Sequence, residues 1–492
     1  MNAWRRMFIP AAAALAVGCN FAPNYTRPSA ISDQPPPAAW KELTPANYSS
    51  TDGWKQAEPR DDVIRGNWWE IFDDPLLNEL EQQVDGANQT LALALANYRA
   101  AQAVVAQSRS QLYPTVTLSA SASRSGPRAG NQFQVPLGAS WEPDLWGSVR
   151  NQVTASADEA VATAADVENT RLSLHGQLAV FYFQLRGQDA QKQLLDETVV
   201  AFRKTLELTK VKHEYGTASD FDVAQAETQL EQTIAQATDV GISRAQFEHG
   251  IAVLVGKAAS AFSIPVSPLR ANPPAVPLAM PSQLLERRPD IAAAERRVAE
   301  RNAQVGVAKA AFFPTLALSG DAGFASSTIG SLFTLPSRIW AFGASLAGIL
   351  FDGGRRQAQV EQALATYEGQ VASYRQTVLT AFQEVEDFLA ALRILSQERG
   401  QQDSAVAAAQ RALSLELDRY RFGIDPYLNV ITAQTILLSN QRTALILRTE
   451  QMTASAQLIV ALGGGWDASR LVAQSSQRGP ATQKIQSASD GK

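Results

Sequence analysis

One cysteine and three histidines are the whole supply of thiols and imidazoles in this 492-residue chain. A thiol nucleophile needs a base beside it, and a metal site needs several such ligands at fixed spacing. Almost nothing remains for either, so no catalytic, metal-binding or cofactor site is expected. No Gly-rich phosphate loop, Gly-x-Ser-x-Gly elbow or His-Glu-x-x-His helix occurs. Asp and Glu are plentiful but sit at helical surface spacing, where a solvated face puts them. A net charge of −5 shows no nucleic-acid footprint. An enzyme is not expected.

The covalent chemistry that the residues do suggest falls on Cys19. Arg5 and Arg6 precede an apolar run from Met7 to Val17, and a small residue stands before Cys19. That is the pattern of a secretory signal peptide over 1–18, too short to span a membrane as a helix. The lone cysteine stands where a lipoprotein signal peptidase would cut, so its thiol would take a diacylglycerol and its freed amine an acyl chain. Ala16 occupies the third place before Cys19, where leucine is usual; Leu15 lies one place earlier. Asn20 after the cysteine leans towards outer-membrane sorting. The other reading is an ordinary cleaved signal with an incidental cysteine. No later segment is apolar for long enough to be a transmembrane helix.

Between its proline clusters the chain repeats itself. "LYPTVTLS" at 112–119 returns as "FFPTLALS" at 312–319, Gly147 returns as Gly353, and Gly216 aligns with Gly423. The offset grows only from 200 to 207, which points to duplication. The expected organisation is an extended, lipid-anchored segment over 19–66 and a first repeat over 67–265. A Pro-rich linker over 266–281, a second repeat over 282–466 and a disordered tail over 467–492 follow. Each repeat reads helix, strand pair, long helix, turn, long helix.

The long helices carry an apolar seam. Leu364, Tyr367, Val371, Tyr374, Val378, Ala381, Val385, Phe388, Leu392 and Leu395 step by three and four, a coiled-coil period. Leu174, Leu178, Phe181 and Leu185, then Leu195, Val199, Phe202 and Leu206, do the same in the first repeat. A helix from Asn151 to Tyr215 would be about 100 Å long, and its seam must pack on an antiparallel partner and on other copies. A solitary helical hairpin or a periplasmic tether stays open on this pattern alone.

After Pro114, Val116, Leu118, Ala120 and Ala122 share one face of a strand, opposite Thr115, Thr117, Ser119, Ser121 and Ser123. Phe133, Val135, Leu137, Ala139 and Trp141 share a face of the return strand. Thr315–Phe324 and Trp340–Leu350 repeat the plan. Strands of about 9 to 11 residues cross a bilayer at barrel tilt, and Trp141, Trp146 and Trp340 suit interfacial anchoring. A soluble sheet over a core fits the alternation equally well. The export signal and the strand count favour the membrane. Four strands per chain cannot close, and only closure across chains pairs every backbone group in lipid. Two chains give an eight-stranded barrel filled by its own side chains, and three give about twelve strands and room for a lumen, which the small Ser/Thr face would line.

Further motifs appear in order: "CNFAPNYTRP", "WWEIFDDPLLNELEQQV", "SWEPDLWG", "RRPDIAAAERRV", "FDGGRR" and "ALGGGW". With these the chain resembles, over nearly all its length after Cys19, the outer-membrane factors of tripartite efflux systems. These are the TolC/OprM-like channels, and the match is closest to their lipoprotein (NodT-type) branch. The resemblance implies a mainly α fold with a membrane β-barrel portion. In it a trimeric twelve-stranded barrel, four strands per chain, continues into a long periplasmic α-helical barrel. It implies a lipid-anchored outer-membrane exit channel of an efflux pump, partnered by a periplasmic adaptor and an inner-membrane pump of the resistance-nodulation-division type. A type I protein-secretion outlet and a non-conducting coiled-coil lipoprotein scaffold are the alternatives.

By position, Gly216, Thr217, Ala218, Ser219, Gly423 and Ile424 fall at the adaptor-contacting tips, and Asp425, at the end of the second turn, is counted with the periplasmic gate. Asp222 and Tyr420 match the family's gate carboxylate and tyrosine, which bond between neighbouring helices in the closed state. Leu428 matches a constricting leucine, with Phe221 its counterpart in the first repeat; ordinary seam packing is the other reading for Tyr420 and Leu428. Asn429 and Thr432 stand where relatives ring the pore with aspartates, which lowers the expected cation selectivity unless Asp220, Asp222 or Asp425 supplies the charge.

Overall fold

A computed structural model describes residues 20–32, 37, 40–43, 66–126, 130–269, 272–274 and 287–464. The signal peptide, Cys19 and the 467–492 tail lie outside these residues, as does part of the 266–281 linker. Compact packing divides the chain into two units. One comprises Met1–Gln34, Leu95–Asp166 and Asp290–Thr377, the other Pro35–Ala94, Val167–Pro289 and Val378–Lys492.

Helix lengths match between the repeats. After α1 (Pro75–Ala87), α2 (Gln89–Ser110) and α5 (Pro289–Ala310) have 22 residues each. The long helices α3 (Ser148–Glu214) and α6 (Arg355–Arg421) have 67, and α4 (Asp220–Leu254) and α7 (Tyr427–Ala461) have 35. None of the described helices is long and apolar enough to cross a membrane. Leading into and out of the long helices, Gly147 and Gly353, then Gly216 and Gly423, hold matching positive φ of 77° and 67°, and 73° and 75°. An L side chain is strained there, which is why glycine recurs at these helix boundaries.

In the first unit the strands are β1 (Thr115–Leu118), β2 (Ser121–Arg124), β3 (Asn131–Trp141), β4 (Thr315–Ser326) and β5 (Arg338–Ala347), all antiparallel. The expected unbroken strand after Pro114 is recorded as two pieces, yet one register runs through both, from Leu118↔Leu137 to Ser121↔Gln134. Pro136 explains the gap: it accepts from Ser119 N at 3.1 Å but has no N–H to return. β1 and β2 are therefore one stave of four. β5 stops at Ala347, short of the expected Leu350. Its next partner would be Pro314, which again has no N–H to donate, and Gly348 passes close to that ring.

The two faces differ in chemistry. Thr117, Gly138 and Asp321 lie in one row across the strands, and a Cβ on Gly138 would come within 2.9 Å of Asp321 Oδ1. This face carries Ser, Thr, Gln and a carboxylate. The other carries Val116, Leu118, Phe133, Val135, Leu137, Phe324, Trp340 and Phe342. Two indoles brace the end of the sheet nearest the helices, Trp141 Nε1 donating to Leu112 O (3.1 Å) and Trp146 Nε1 to Pro314 O (2.6 Å). The first described residues reach the same place. Phe21 stacks on Phe313 at 4.3 Å, Trp146 at 4.9 Å, and Asn302 Nδ2 donates to Pro23 O.

The second unit buries the helical seam. Val378, Ala381 and Val385 are solvent-inaccessible along its part of α6, and Leu389 takes the buried place expected of Phe388, which is half-buried. Asp74 caps α1, accepting from Leu76 N and Leu77 N at 3.0 and 3.2 Å. His175 on α3 clasps α1, with Nδ1 2.7 Å from Glu81 Oε2 and Nε2 3.6 Å from Asp85, under the stacked ring of Trp69. Burial pushes the Glu81 carboxyl up to about 7, against the pull of His175. Burial opposes the charged form of His175 too, but its bonds to Asp85 and Glu81 outweigh it and leave the imidazole raised.

Both raised groups bind protons more readily in the folded chain. The Glu81 contribution is full below the ordinary carboxylate range and is lost as pH rises towards 7, while that of His175 is full below about pH 6.5 and is lost as pH rises through its raised folded value. Amide exchange in α1 should therefore quicken as pH rises from about 5 to 8.5 beyond the intrinsic base-catalysed increase, and His175→Gln should abolish only the part of the excess above neutral pH. In the sheet, a Cβ on Gly323 would lie 2.3 Å from Val135 O, whereas Gly330 is open on all sides. Gly323→Ala should cost about 1–3 kcal/mol by overpacking and lower the melting temperature followed by circular dichroism, with Gly330→Ala as the neutral control.

Candidate functional site

The two helix–turn–helix tips lie in the second unit and are built alike. After α3, Thr217 N bonds to Lys212 O and Gly216 N to His213 O, both at 2.8 Å. After α6, Ile424 N bonds to Arg419 O (2.9 Å) and Gly423 N to Tyr420 O (3.0 Å). Both are Schellman closures around a left-handed glycine, which satisfy the last carbonyls of each helix. Thr217 Oγ1 adds a bond to Lys212 O, and His213 Nδ1 lies 3.1 Å from Ala218 O.

The helices that leave the turns start differently. α4 opens with a capping box: Ser219 Oγ accepts from Asp222 N (3.1 Å), while Asp222 Oδ2 accepts from both Ser219 N (2.9 Å) and Ser219 Oγ (2.8 Å). At the equivalent place α7 has Pro426, which offers no side-chain cap. Its turn is held instead by Arg419, which forks onto Asp425; Nη2 donates to Oδ1 at 3.0 Å. The Arg419 guanidinium holds the Asp425 carboxyl below the usual carboxylate range.

Tyr420 and Asp222, which the family pattern pairs, do not bond to each other within one chain. Tyr420 is 4 % exposed and packs among Phe202, Leu206, Ala226, Leu230, Tyr427 and Val430. Its hydroxyl donates to Thr209 Oγ1 at 3.1 Å, and Thr209 in turn donates to Thr205 O. Gln434 Nε2 reaches Thr205 Oγ1 at 3.2 Å, so a polar spine links α6 and α7 to α3. Lys212 Nζ sits 4.8 Å above the Tyr420 ring, and the Tyr427 ring lies 5.4 Å away. Burial pushes the Tyr420 hydroxyl up, and the nearby Asp222 charge adds to it.

Leu428 and Phe221 are not seam residues in one chain, being 56 % and 67 % exposed. Asn429 and Thr432 share that exposure, as do Asp220 and Ile424. The residues that sequence reasoning missed are Thr205, Thr209, Arg419 and Gln434. Thr209 left a signal: it occupies the next seam position after Phe202 and Leu206, where a polar residue asks for a partner.

A protein-family model described as outer membrane efflux protein matches the chain over residues 80–257 and 280–464. The toluene efflux pump outer membrane protein TtgF of Pseudomonas putida is 32 % identical over 461 residues, covering 92 % of this chain and 95 % of its own. OprJ, an outer membrane protein of Pseudomonas aeruginosa, is 31 % identical over 93 % of this chain and 95 % of its own. Among solved structures, the outer-membrane channel OprN superposes with a TM-score of 0.81 at 29 % identity, over 91 % of this chain and 100 % of that one. The open-state MtrE outer membrane channel of Neisseria gonorrhoeae gives 0.79 at 27 % identity, over 92 % and 99 %.

Two outcomes are expected at the tips. Ser219→Ala should cost about 1 kcal/mol through the lost cap and speed amide exchange in the first turn of α4, leaving the first turn of α7 unchanged. Because the Asp425 carboxyl is depressed, its contribution is present above the ordinary carboxylate range and is lost as pH falls through its folded value. Exchange at the Gly423–Asp425 turn, corrected for intrinsic rates, should rise on acidification below about pH 4, and Arg419→Gln should bring that rise to neutral pH.

Proposed function

The chain belongs to the outer membrane efflux protein family, and from that premise we propose how it works as the outer-membrane exit duct of an efflux pump. It assembles as a homotrimer in which twelve staves close a barrel across the outer membrane and the long helices continue it as a periplasmic tube. The observation that carries this reading is the four-stave sheet with two open edges and two chemically different faces. The apolar face meets lipid, and the Thr117–Asp321 face lines a wet lumen.

Cys19 is lipidated. The stacking of Phe21 on Phe313, one residue before the Pro314 strand entry, supports an anchor at the level of the membrane surface. The tips, Gly216–Ser219 and Gly423–Ile424, dock a periplasmic adaptor, which couples the duct to an inner-membrane pump of the resistance-nodulation-division type. The duct itself does no bond chemistry and takes its energy from that pump.

The gate closes where Leu428 and Phe221 project from the tips. Tyr420, tied through Thr209 to α3, holds α6 in the closed position, and the Arg419–Asp425 fork keeps the α6–α7 turn tight. Opening untwists the inner helix pair and breaks these ties. With Asn429 and Thr432 exposed and neutral, Asp425 paired and Asp222 committed to its cap, Asp220 is the carboxylate left to face the pore. The closed gate is thus only weakly cation-selective.

In a planar bilayer the purified trimer should show low conductance, and Tyr420→Phe, which removes a bond worth about 1 kcal/mol per chain, should raise it. Arg419→Ala should do the same. If both variants conduct as the parent does, the gate lies elsewhere. Metabolic labelling with a fatty-acid analogue should mark the parent chain and leave Cys19→Ser unmarked; an unmarked parent would remove the anchor.

A further inference from the structure

The end of the sheet remote from the helices carries charge on its apolar face. Arg124 ends β2 and Arg338 begins β5. Arg124 lies two residues beyond Ala122, which is opposite Phe133, and Arg338 is opposite Phe324. Both guanidiniums therefore rise from the face of Phe133, Val135, Phe324 and Trp340. They are the only charges that the described strands place on this face, both are exposed, and neither has an ion-pair partner among the described residues.

The connection from β4 to β5 adds apolar surface beside them. It is braced by its own hydroxyls: Ser331 Oγ lies 2.7 Å from Ser326 Oγ and 2.6 Å from Thr328 Oγ1, and Ser337 Oγ donates to Ser331 O. Phe333 meets Phe324 edge-on at 5.5 Å, which turns the loop over the apolar face. Ile329, Phe333 and Leu335 are left 72, 70 and 69 % exposed. A rigid apolar patch beside unpaired arginines matches a layer of acyl chains topped by anionic headgroups.

Closing the barrel brings β5 of one copy beside the β1/β2 edge of the next. Arg338 of one copy and Arg124 of its neighbour then share one rim of the seam. Like charges on adjacent strands repel, and an anion held between them removes that cost. We propose that each seam between copies binds the phosphate of an outer-leaflet glycolipid, with its acyl chains against Ile329, Phe333 and Leu335. This rests on the trimeric-barrel reading above.

The test reconstitutes purified trimers in phosphatidylethanolamine vesicles doped with lipid A or with dephosphorylated lipid A. Lipid retained on the re-extracted trimer is quantified by mass spectrometry. Wild type should retain the phosphorylated form about tenfold better, excess inorganic phosphate should not displace it, and R124Q/R338Q should erase the preference. Equal retention of the two lipids by wild type overturns the proposal without recourse to any variant. Displacement by inorganic phosphate overturns it as well, since it reduces the site to an anion pocket. Conductance of the same vesicles separates the two readings: trimers that conduct but show no lipid preference sink this inference alone, and chains that neither trimerise nor conduct sink the duct.

Discussion

Backbone pairing at the sheet edges constrains everything else in this chain. Four antiparallel staves end in two rows of unpaired N–H and C=O groups, on β1/β2 and on β5. Water could satisfy them, hydrocarbon could not, and one face of the sheet carries aromatic and branched residues suited to hydrocarbon. A single chain has no way to meet both demands. Repetition of the chain around an axis meets them at once, since each β5 edge finds the next β1/β2 edge. The same symmetry would pack the exposed parts of the helical seam, such as Leu364 at 39 % exposure, against neighbouring copies.

Within the second unit the tips show how a duplicated motif can be made unequal. Both turns close on a left-handed glycine with the same pair of bonds, so their backbone paths match. What differs is the start of the following helix. Ser219 and Asp222 cap α4 from within its own first turn, whereas Pro426 cannot cap α7 and the turn relies on a fork from Arg419, in the last turn of α6, to Asp425. A local cap survives movement of the helix as a whole. The Tyr420–Thr209 bond joins different helices and has to break if they part. That asymmetry supports the proposed gate, with α6 and α7 as its moving part.

Polar residues in the seam serve the same distinction. Thr205, Thr209 and Gln434 are buried among leucines, where hydrophobic side chains would pack with more stabilisation. A hydrogen bond is directional and fails over a short displacement, while apolar contact slides. A spine of such bonds sets one register between α3, α6 and α7, and its modest strength leaves that register able to change.

Much of this was legible without coordinates. Returning motifs, heptad steps and paired glycines outlined two repeats, and strict alternation after Pro114 and Pro314 marked the strands, because periodicity and glycine conformation are local properties of the chain. Where local reading fell short, the cause lay in a partner distant in sequence. The first strand is interrupted opposite Pro136, and β5 stops opposite Pro314. The candidate site divides the same way. Its paired turns followed from the repeat and the roles of its residues from the family resemblance, but side-chain bonding followed from neither: Asp222 turns to Ser219, Asp425 to Arg419 and Tyr420 to Thr209, 211 residues away. Sequence determines where the backbone bends and which faces are apolar. The choice of hydrogen-bond partner depends on distances between helices, and those exist only once the chain has packed.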